Sequence, residues 1–156
     1  MAELERKNII HKDIKCENVL IDNDGVLKLC DFGCSKDFRS TMSLKLYENS
    51  EAVKSFRGSY LWTAPECLLG NPCLASDIWS LGCLMIELVS AKLPWQDKKF
   101  DNQYQAILHI VESDEIPNIE GTWDPKIQEM IKACLQRKPE NRITARQLLE
   151  RNDFWE

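Results

Sequence analysis

A single apolar stretch in the middle of the chain restricts its possible folds more than any other feature. Residues 78–89 are almost continuously apolar, and Glu87 is the charged exception. The stretch is too short to span a bilayer, which requires about 20 apolar residues. A helix that is apolar on all sides is typical of the centre of a core. We therefore predict a buried central helix from Asp77 to Ser90 and no membrane partner.

Length and charge limit the number of domains and the class of partner. The chain has 156 residues, which favours one domain, and a chain of this size buries roughly two thirds of its unfolded surface. Its net charge of −5 gives little support to nucleic-acid or membrane binding, because both favour a basic face. The residues after Met1 are polar and charged, so we expect no signal peptide.

The cysteines indicate a reducing compartment. There are seven, an odd number, and no two of them form a CxxC pair. The two histidines, His11 and His109, do not complete a zinc-binding spacing. We expect packed, reduced thiols in a cytoplasmic protein, with a nuclear location as the open alternative.

Hydrophobic periodicity predicts a fold of the α+β class that is mainly α. Two short β-type runs at 18–21 and 26–30 flank a turn-rich tetrapeptide, which is typical of a β-hairpin. From Asp31 to Glu66 the periodicity is lost, and we predict a long functional loop. Helical patterns follow, and the chain is expected to end as a helical bundle. These helices are predicted at about 102–111, from Asp124-Pro125 onwards, and from Thr144, which opens a capping-box pattern.

Polar residues that could bind a metal ion or act as a base flank the predicted hairpin. Asp13 and Asn18 precede its first strand, and Asp31 follows its second strand. Because a hairpin brings its two ends together, these three side chains are expected to converge. Two carboxylates and an amide are hard oxygen ligands suited to Mg²⁺ held jointly with phosphate, and a carboxylate near a hydroxyl can act as its base. Each residue alone is a weak signal that an ordinary cap or turn also explains.

Taken in order, these residues resemble the signature of the protein kinase superfamily. The resemblance covers essentially the whole chain, and it implies a kinase-like C-terminal lobe built from a β-hairpin and a helical bundle. Its motifs are His11–Asn18 for the HRDxxxxN catalytic loop, Asp31–Gly33 for DFG, Ala64–Glu66 for APE, residues 76–82 for the start of the central helix, and residues 137–144 for the late arginine segment.

A narrower resemblance is to the mitogen-activated protein kinase kinase kinases of the sterile group. It rests on four segments, which are residues 13–18, 31–36, 58–66 and 93–95. In that family a lysine two residues after the catalytic aspartate, here Lys15, marks a serine/threonine enzyme. The resemblance implies a protein substrate, such as a downstream MAP kinase kinase, and ATP and Mg²⁺ as cofactors.

The resemblance also assigns roles to the catalytic residues. Asp13 is expected to orient the substrate hydroxyl and accept its proton, and Lys15 to neutralise the transferring γ-phosphoryl group. Asn18 and Asp31 are expected to bind Mg²⁺, which bridges the phosphates. Leu20 is expected to lie under the adenine ring.

Five further residues receive structural roles from the same resemblance. His11 and Phe32 are expected to belong to the hydrophobic column that links two lobes. Asp77, which is also explained as a plain N-cap, is expected to accept hydrogen bonds from the catalytic-loop backbone. Glu66 and Arg142 are expected to form a buried ion pair.

The chain departs from the family pattern in three places. Lys12 stands where arginine is usual, which keeps the charge but loses bidentate geometry, and Thr63 replaces the usual methionine. No GxGxxG motif occurs in the 156 residues, and no segment before residue 13 has room for the ATP-binding lysine strand. We therefore expect residues 1–156 to be a partial kinase domain that lacks the N-lobe and is inactive alone. Its exposed face is expected to be covered by an N-lobe or another partner.

Within this domain, residues 31–66 are expected to form the activation segment. Its hydroxyl residues suggest regulation by phosphorylation, which could order the loop by pairing with cations such as Lys12. Ser55 is the first candidate phosphosite. Ser59 is the second candidate, although it is also expected to contact Asp13 and Lys15 as a structural hydroxyl.

Two other functional classes stay open. A non-catalytic interaction module with a kinase-lobe fold is favoured by the missing motif, whereas the intact set of Asp13, Lys15, Asn18 and Asp31 favours the enzyme. A generic helical scaffold does not explain the order of the motifs.

Overall fold

The computed structural model describes residues 1–37, 59–119, 121 and 123–151. Within these ranges, two small antiparallel sheets precede a group of helices. The elements in chain order are α1 (Ala2–Lys7), β1 (Ile9–Ile10), β2 (Val19–Ile21), β3 (Leu27–Leu29), β4 (Lys36–Asp37), α2 (Pro65–Leu68), α3 (Leu74–Ser90), α4 (Gln103–Glu112), α5 (Pro125–Cys134) and α6 (Ala145–Glu150). Among the described helices, none combines the length and apolar character needed to cross a membrane.

The predicted central helix is α3, but it begins earlier than expected. Its N-cap is Cys73, and Ser76 completes a capping box by accepting a hydrogen bond from the Cys73 amide at 3.0 Å. Asp77 therefore lies one turn inside the helix, so a plain N-cap does not describe it. Cysteine is not among the residues that usually cap a helix N-terminus, so the residues before the apolar run did not indicate a helix start at Leu74.

Close packing between α3 and α5 requires glycine at position 82. A Cβ atom there would lie 2.9 Å from Cys134 Cβ and from two side-chain atoms of Leu135. The absence of a side chain lets the two helices approach, and α3 buries its apolar faces against α5 and its neighbours. In the part of the chain that the structure describes, two clusters of buried residues form the core. The larger contains Trp62, Ala64, Cys67, Trp79, Cys83, Ile86, Trp95, Ile110, Ile131 and Leu135, and the smaller contains Ile78, Met130, Cys134, Ala145 and Leu148.

The predicted hairpin is present as β2 and β3. Val19 pairs with Leu29 and Ile21 with Leu27. In the turn, one oxygen of Asp22 accepts hydrogen bonds from the amides of Asp24 and Val26 at 3.0 and 2.9 Å. This local bonding is the reason that an Asp-rich turn can close the hairpin.

The remaining N-terminal elements were not predicted. Helix α1 carries Glu3 paired with Arg6 and Lys7 at helical spacing, a signal that the charged sequence contained. Strand β1 pairs with β4, a non-local contact that two-residue strands do not reveal in sequence.

The prediction of one long loop from Asp31 to Glu66 is wrong at both ends of this range, where the structure describes short regular elements. These ends contain a 3₁₀ turn at Phe32–Cys34, strand β4, a second 3₁₀ turn at Ser59–Trp62 and the start of α2.

A buried ion pair joins the start of α2 to the segment before α6. Two nitrogens of Arg142 donate to the two carboxylate oxygens of Glu66 at 2.6 and 2.8 Å. The Arg142 side chain is fully buried, and it also donates to the backbone carbonyls of Gln136, Ala75 and Arg137. Burial alone would raise the pKa of Glu66, but the Arg142 guanidinium outweighs it and the pKa is lowered. The pair joins segments 76 residues apart in sequence.

Arg142→Ala is expected to lower the free energy of unfolding by about 3–5 kcal/mol at pH 7, because it leaves the Glu66 carboxylate buried and unpaired. The lowered pKa means that the carboxylate contributes stability fully above its ordinary value of 4.5, and that the contribution is lost as the pH falls through the folded-state value. The difference between variant and wild type should therefore shrink in acid. Denaturant unfolding of variant and wild type, measured at pH 7 and again below pH 4.5, provides the test.

The exposed lysine variant Lys99→Ala is the matched control. If Arg142→Ala destabilises the protein no more than Lys99→Ala does, the ion pair makes no net contribution.

Candidate active site

The backbone of the segment before the hairpin is bound to the central helix by one carboxylate. Asp77 accepts hydrogen bonds from the amides of His11 at 2.7 Å and Lys12 at 3.0 Å. Lys12 adopts a left-handed conformation with φ of 69°, which a non-glycine residue rarely adopts. Burial raises the pKa of Asp77, and the two amide hydrogen bonds act in the opposite direction. The Asp77 carboxylate thus fixes a strained turn immediately before Asp13.

His11 is fully buried, and both of its ring nitrogens are engaged. Nδ1 accepts a hydrogen bond from the Asp13 amide at 3.3 Å, so Nε2 is the protonated nitrogen that donates to the carbonyl oxygen of Cys30 at 3.0 Å. The ring also meets Phe32 edge-on, with centroids 4.7 Å apart. His11 therefore joins the two sides of the hairpin and has no nitrogen available as a base.

Asn18 holds the side chain of Asp13. Its Nδ2 donates to the carbonyl oxygen of Asp13 at 2.7 Å and to Asp13 Oδ2 at 2.8 Å. The other carboxylate oxygen, Oδ1, is buried without a hydrogen-bond partner among the described residues, and Lys15 Nζ lies 3.6 Å from it. A buried acceptor of this kind costs stability unless a further donor binds it. Asp13 is therefore oriented through one oxygen and can accept a proton with the other.

Lys15 lies among three partners. Its Nζ donates to Ser59 Oγ at 2.9 Å and lies 3.1 Å from Glu17 Oε2 and 3.6 Å from Asp13 Oδ1. Burial alone would lower the pKa of Lys15, but the Glu17 hydrogen bond and the charges of Asp13 and Glu17 outweigh it, so the pKa is raised. The ammonium stays protonated beside the free oxygen of Asp13.

Asp31 follows the hairpin in a left-handed conformation, with φ of 59°. One of its carboxylate oxygens accepts a hydrogen bond from the Gly33 amide at 3.1 Å, and its side chain is exposed. The amide of Cys30, the preceding residue, donates to the carbonyl oxygen of Asn18 at 2.9 Å, so Asp31 lies at the same end of the hairpin as Asn18.

The oxygen atoms at this end of the hairpin fit the chemistry of Mg²⁺. Both side-chain hydrogen bonds of Asn18 use Nδ2, which leaves the side-chain oxygen to bind a cation, and Asp31 adds an exposed carboxylate. Among the described residues, no cluster of three or more Asp, Glu, His or Cys forms a metal site of its own. A cation here would need additional ligands from phosphate or water, as Mg²⁺ usually has.

Exposed apolar side chains lie beside these polar groups. The hairpin presents Leu20, Ile21, Val26 and Leu27, each more than half exposed, and Phe32 is 46% exposed. Leu20 is the residue expected to contact adenine. A cluster of large exposed apolar side chains on one hairpin is typical of a binding surface.

Two acidic residues that the sequence analysis did not assign to the site contact it. Glu17 binds Lys15, and Glu87 of α3 accepts hydrogen bonds from the Cys16 amide and the Trp62 indole. The only sequence signal for Glu87 was a charge inside an apolar run. Of the two candidate phosphosites, Ser59 contacts Lys15, and Ser55 lies outside the described residues.

Comparisons with known proteins give one consistent result. Residues 1–154 match the family model described as protein kinase domain. The chain is 38% identical to mitogen-activated protein kinase kinase kinase A of Dictyostelium discoideum, 37% identical to mitogen-activated protein kinase kinase kinase YODA of Arabidopsis thaliana, and 35% identical to the serine/threonine-protein kinase BCK1/SLK1/SSP31 of Saccharomyces cerevisiae. Each alignment covers 96% of this chain, but the chain spans only 15%, 16% and 10% of those three relatives.

Asp77→Asn is expected to loosen the turn before Asp13, because the amide places a donor against one of the two backbone N–H groups. The free energy of unfolding should fall by about 1–3 kcal/mol, the cost of leaving a buried donor unpaired. Amide exchange in residues 9–15 should accelerate more than exchange in α5, which hydrogen–deuterium exchange with mass spectrometry resolves. The exposed Asp97→Asn is the control, and equal behaviour of the two variants would contradict the assigned role of Asp77.

Proposed function

Because the chain belongs to the protein kinase family, we propose that it carries the catalytic loop of a serine/threonine protein kinase. The reaction is transfer of the γ-phosphoryl group of ATP to a serine or threonine hydroxyl of a protein. One observation carries this proposal: the Asp13 carboxylate is held through one oxygen by Asn18, while its other oxygen has no hydrogen-bond partner among the described residues and lies 3.6 Å from the Lys15 ammonium.

The proposed role of Asp13 follows from this geometry. The unpartnered oxygen can accept a hydrogen bond from the substrate hydroxyl, which orients the hydroxyl oxygen for attack, and it can accept the proton as the new O–P bond forms. Asn18 keeps the carboxylate from rotating. Phosphoryl transfer relies mainly on positioning and electrostatic stabilisation, so a fixed carboxylate is more useful here than a strongly basic one.

Lys15 is proposed to neutralise charge on the transferring group. Its raised pKa keeps it cationic, and its contacts with Asp13 and Ser59 hold the ammonium beside the proton acceptor. The contact with Glu17 is the exposed one, since the Glu17 side chain is 79% exposed. We propose that the incoming phosphoryl oxygens replace Glu17 as the partner of Lys15.

The cofactor roles are part of the same proposal. Asn18 and Asp31 would hold Mg²⁺ through their side-chain oxygens, and Leu20 would contact the adenine ring of ATP. When bound, Mg²⁺ supplies positive charge that offsets the negative charge of the phosphates. The described residues contribute the ligand oxygens and one apolar surface of this site.

The relatives suggest the pathway. Two of those reported are named as MAP kinase kinase kinases, and we propose that this chain belongs to a protein that phosphorylates a MAP kinase kinase. All seven cysteines are free thiols, which supports the proposed cytoplasmic location.

A second function has one observation in its favour. The exposed apolar side chains of the hairpin, together with the lack of a GxGxxG motif in these 156 residues, suit a binding module that needs no nucleotide. For the kinase function, we propose instead that an N-terminal kinase lobe or an equivalent partner covers these side chains. Residues 1–156 would then be a partial kinase domain that requires the covering element for catalysis.

Asp13→Asn and Asp31→Asn are each expected to reduce phosphoryl transfer by at least about a hundredfold when the chain is fused to an N-terminal kinase lobe. The first change removes the proton acceptor and the second weakens the metal site. The measurement is ³²P incorporation from labelled ATP into a basic protein substrate. Asp24→Asn in the hairpin turn is the matched control, since it makes the same change at an exposed position outside the site. Near wild-type turnover in either site variant would contradict the catalytic assignment.

The 156-residue polypeptide by itself is expected to unfold cooperatively but to transfer no phosphate above a buffer blank. The α3 core can support folding, whereas no described element covers the triphosphate or excludes water from it. Addition of Mg-ATP should raise the melting temperature little or not at all. Transfer by this polypeptide that is abolished by Asp13→Asn would contradict the proposed need for a second lobe.

A further inference from the structure

One face of the central helix is polar although the helix is buried. Asp77, Ser80 and Glu87 are three and seven residues apart, a spacing that places them within about 80° of one another around the helix axis. Polar groups in such positions cost stability unless they are hydrogen-bonded. Asp77 binds the backbone before Asp13, and the partners of the other two residues identify a second attachment.

Ser80 and Glu87 both bind the same tryptophan. Ser80 Oγ donates to the carbonyl oxygen of Trp62 at 2.8 Å, and the Trp62 indole Nε1 donates to Glu87 Oε2 at 3.0 Å. Trp62 is buried, with 9% of its surface exposed. It is the last residue of the 3₁₀ turn Ser59–Trp62, so this turn is fixed to α3 at its main chain and at its side chain.

The same oxygen of Glu87 reaches the catalytic loop. Oε2 accepts a hydrogen bond from the Cys16 amide at 3.3 Å, so one carboxylate oxygen joins two segments 46 residues apart in sequence. Burial, together with the hydrogen bond and charge of Glu87, raises the pKa of the Cys16 thiol to about 12.

These contacts close a ring around Lys15. The Lys15 ammonium donates to Ser59, the first residue of the 3₁₀ turn. Cys16, which follows Lys15 in the chain, is linked through Glu87 to Trp62, the last residue of that turn. The side chain of Lys15 and the peptide that follows it are thus attached to one rigid turn. A shift of that turn would move the ammonium relative to Asp13.

We propose that Glu87 is a positioning residue that clamps the catalytic loop and the 3₁₀ turn Ser59–Trp62 onto α3 and thereby sets the place of Lys15. The effect of this clamp on catalysis rests on the proposed kinase function, whereas the hydrogen bonds that form the clamp do not depend on that function. Asp77 fixes the start of the catalytic loop and Glu87 fixes its middle.

A purely structural glutamate would behave differently from a clamp. If Glu87 only stabilised the core, its removal would loosen every element in proportion to the loss of global stability. A clamp predicts that two segments distant in sequence loosen together while the rest of the core does not. Hydrogen–deuterium exchange on the 156-residue chain separates these cases.

Glu87→Ala is expected to accelerate amide exchange by about tenfold or more in peptides covering 13–18 and 59–64, with α5 unchanged. Trp62→Phe keeps an aromatic ring but removes the indole donor, so it should accelerate exchange in 59–64 with a smaller effect on 13–18. The control is Glu112→Ala, which removes an exposed carboxylate from α4.

A second variant, Glu87→Gln, keeps the shape of the side chain if the alanine variant does not fold. Its neutral amide is a weaker acceptor than the carboxylate, so exchange in 13–18 and 59–64 should again rise together, by a smaller factor than in Glu87→Ala and with α5 unchanged.

Exchange that rises equally in α5, or that changes in only one of the two segments after Glu87→Ala, would overturn the clamp. Unchanged exchange in both segments of a folded Glu87→Gln protein would overturn it as well. In the fusion with an N-terminal kinase lobe, Glu87→Gln should lower kcat with little change in the KM for ATP. A fusion that is inactive with Glu87 intact would count against the proposed function, whereas the exchange results would still decide the clamp.

Discussion

The candidate site depends on the hydrogen bonds from the amides of His11 and Lys12 to the buried carboxylate of Asp77. They hold Lys12 in a left-handed conformation and direct the chain so that Asp13 follows at a fixed point above α3. The helix can serve as this anchor because its other faces are packed, with Gly82 in close contact with α5. Rigid packing on one side of a helix thus allows polar attachment on another.

The site carries polar groups that folding alone does not favour. Asp13 has a buried oxygen without a hydrogen-bond partner among the described residues, whereas Glu66 and Arg142 satisfy each other through two hydrogen bonds. The Asp13 and Glu66 carboxylates are both partly buried, but only Asp13 keeps an unused acceptor oxygen next to a cation. This contrast distinguishes a side chain that can accept a proton from one that only joins two segments.

Local patterns predicted the hairpin, the central helix and the capping box at Thr144, because each depends on residues close in sequence. Order and spacing also brought Asp13 and Asn18 together. The pairing of β1 with β4 and the contacts of Glu87 could not be predicted, because both join residues far apart in sequence, and the charge of Glu87 inside the apolar run did not indicate its partners. The start of α3 at Leu74 was missed for a different reason, since a cysteine cap is not a recognised start signal.

We propose that α3 holds Asp13 and Lys15 in the geometry that phosphoryl transfer requires. The most direct measurement is the single-turnover rate from labelled ATP to a serine peptide, in the fusion with an N-terminal kinase lobe, with and without Asp77→Asn. We expect the rate to fall by about tenfold or more, because a small displacement of the reacting groups has a large effect on transfer, while the Kd for ATP stays within about twofold. An unchanged transfer rate in a folded Asp77→Asn protein would contradict this role of α3.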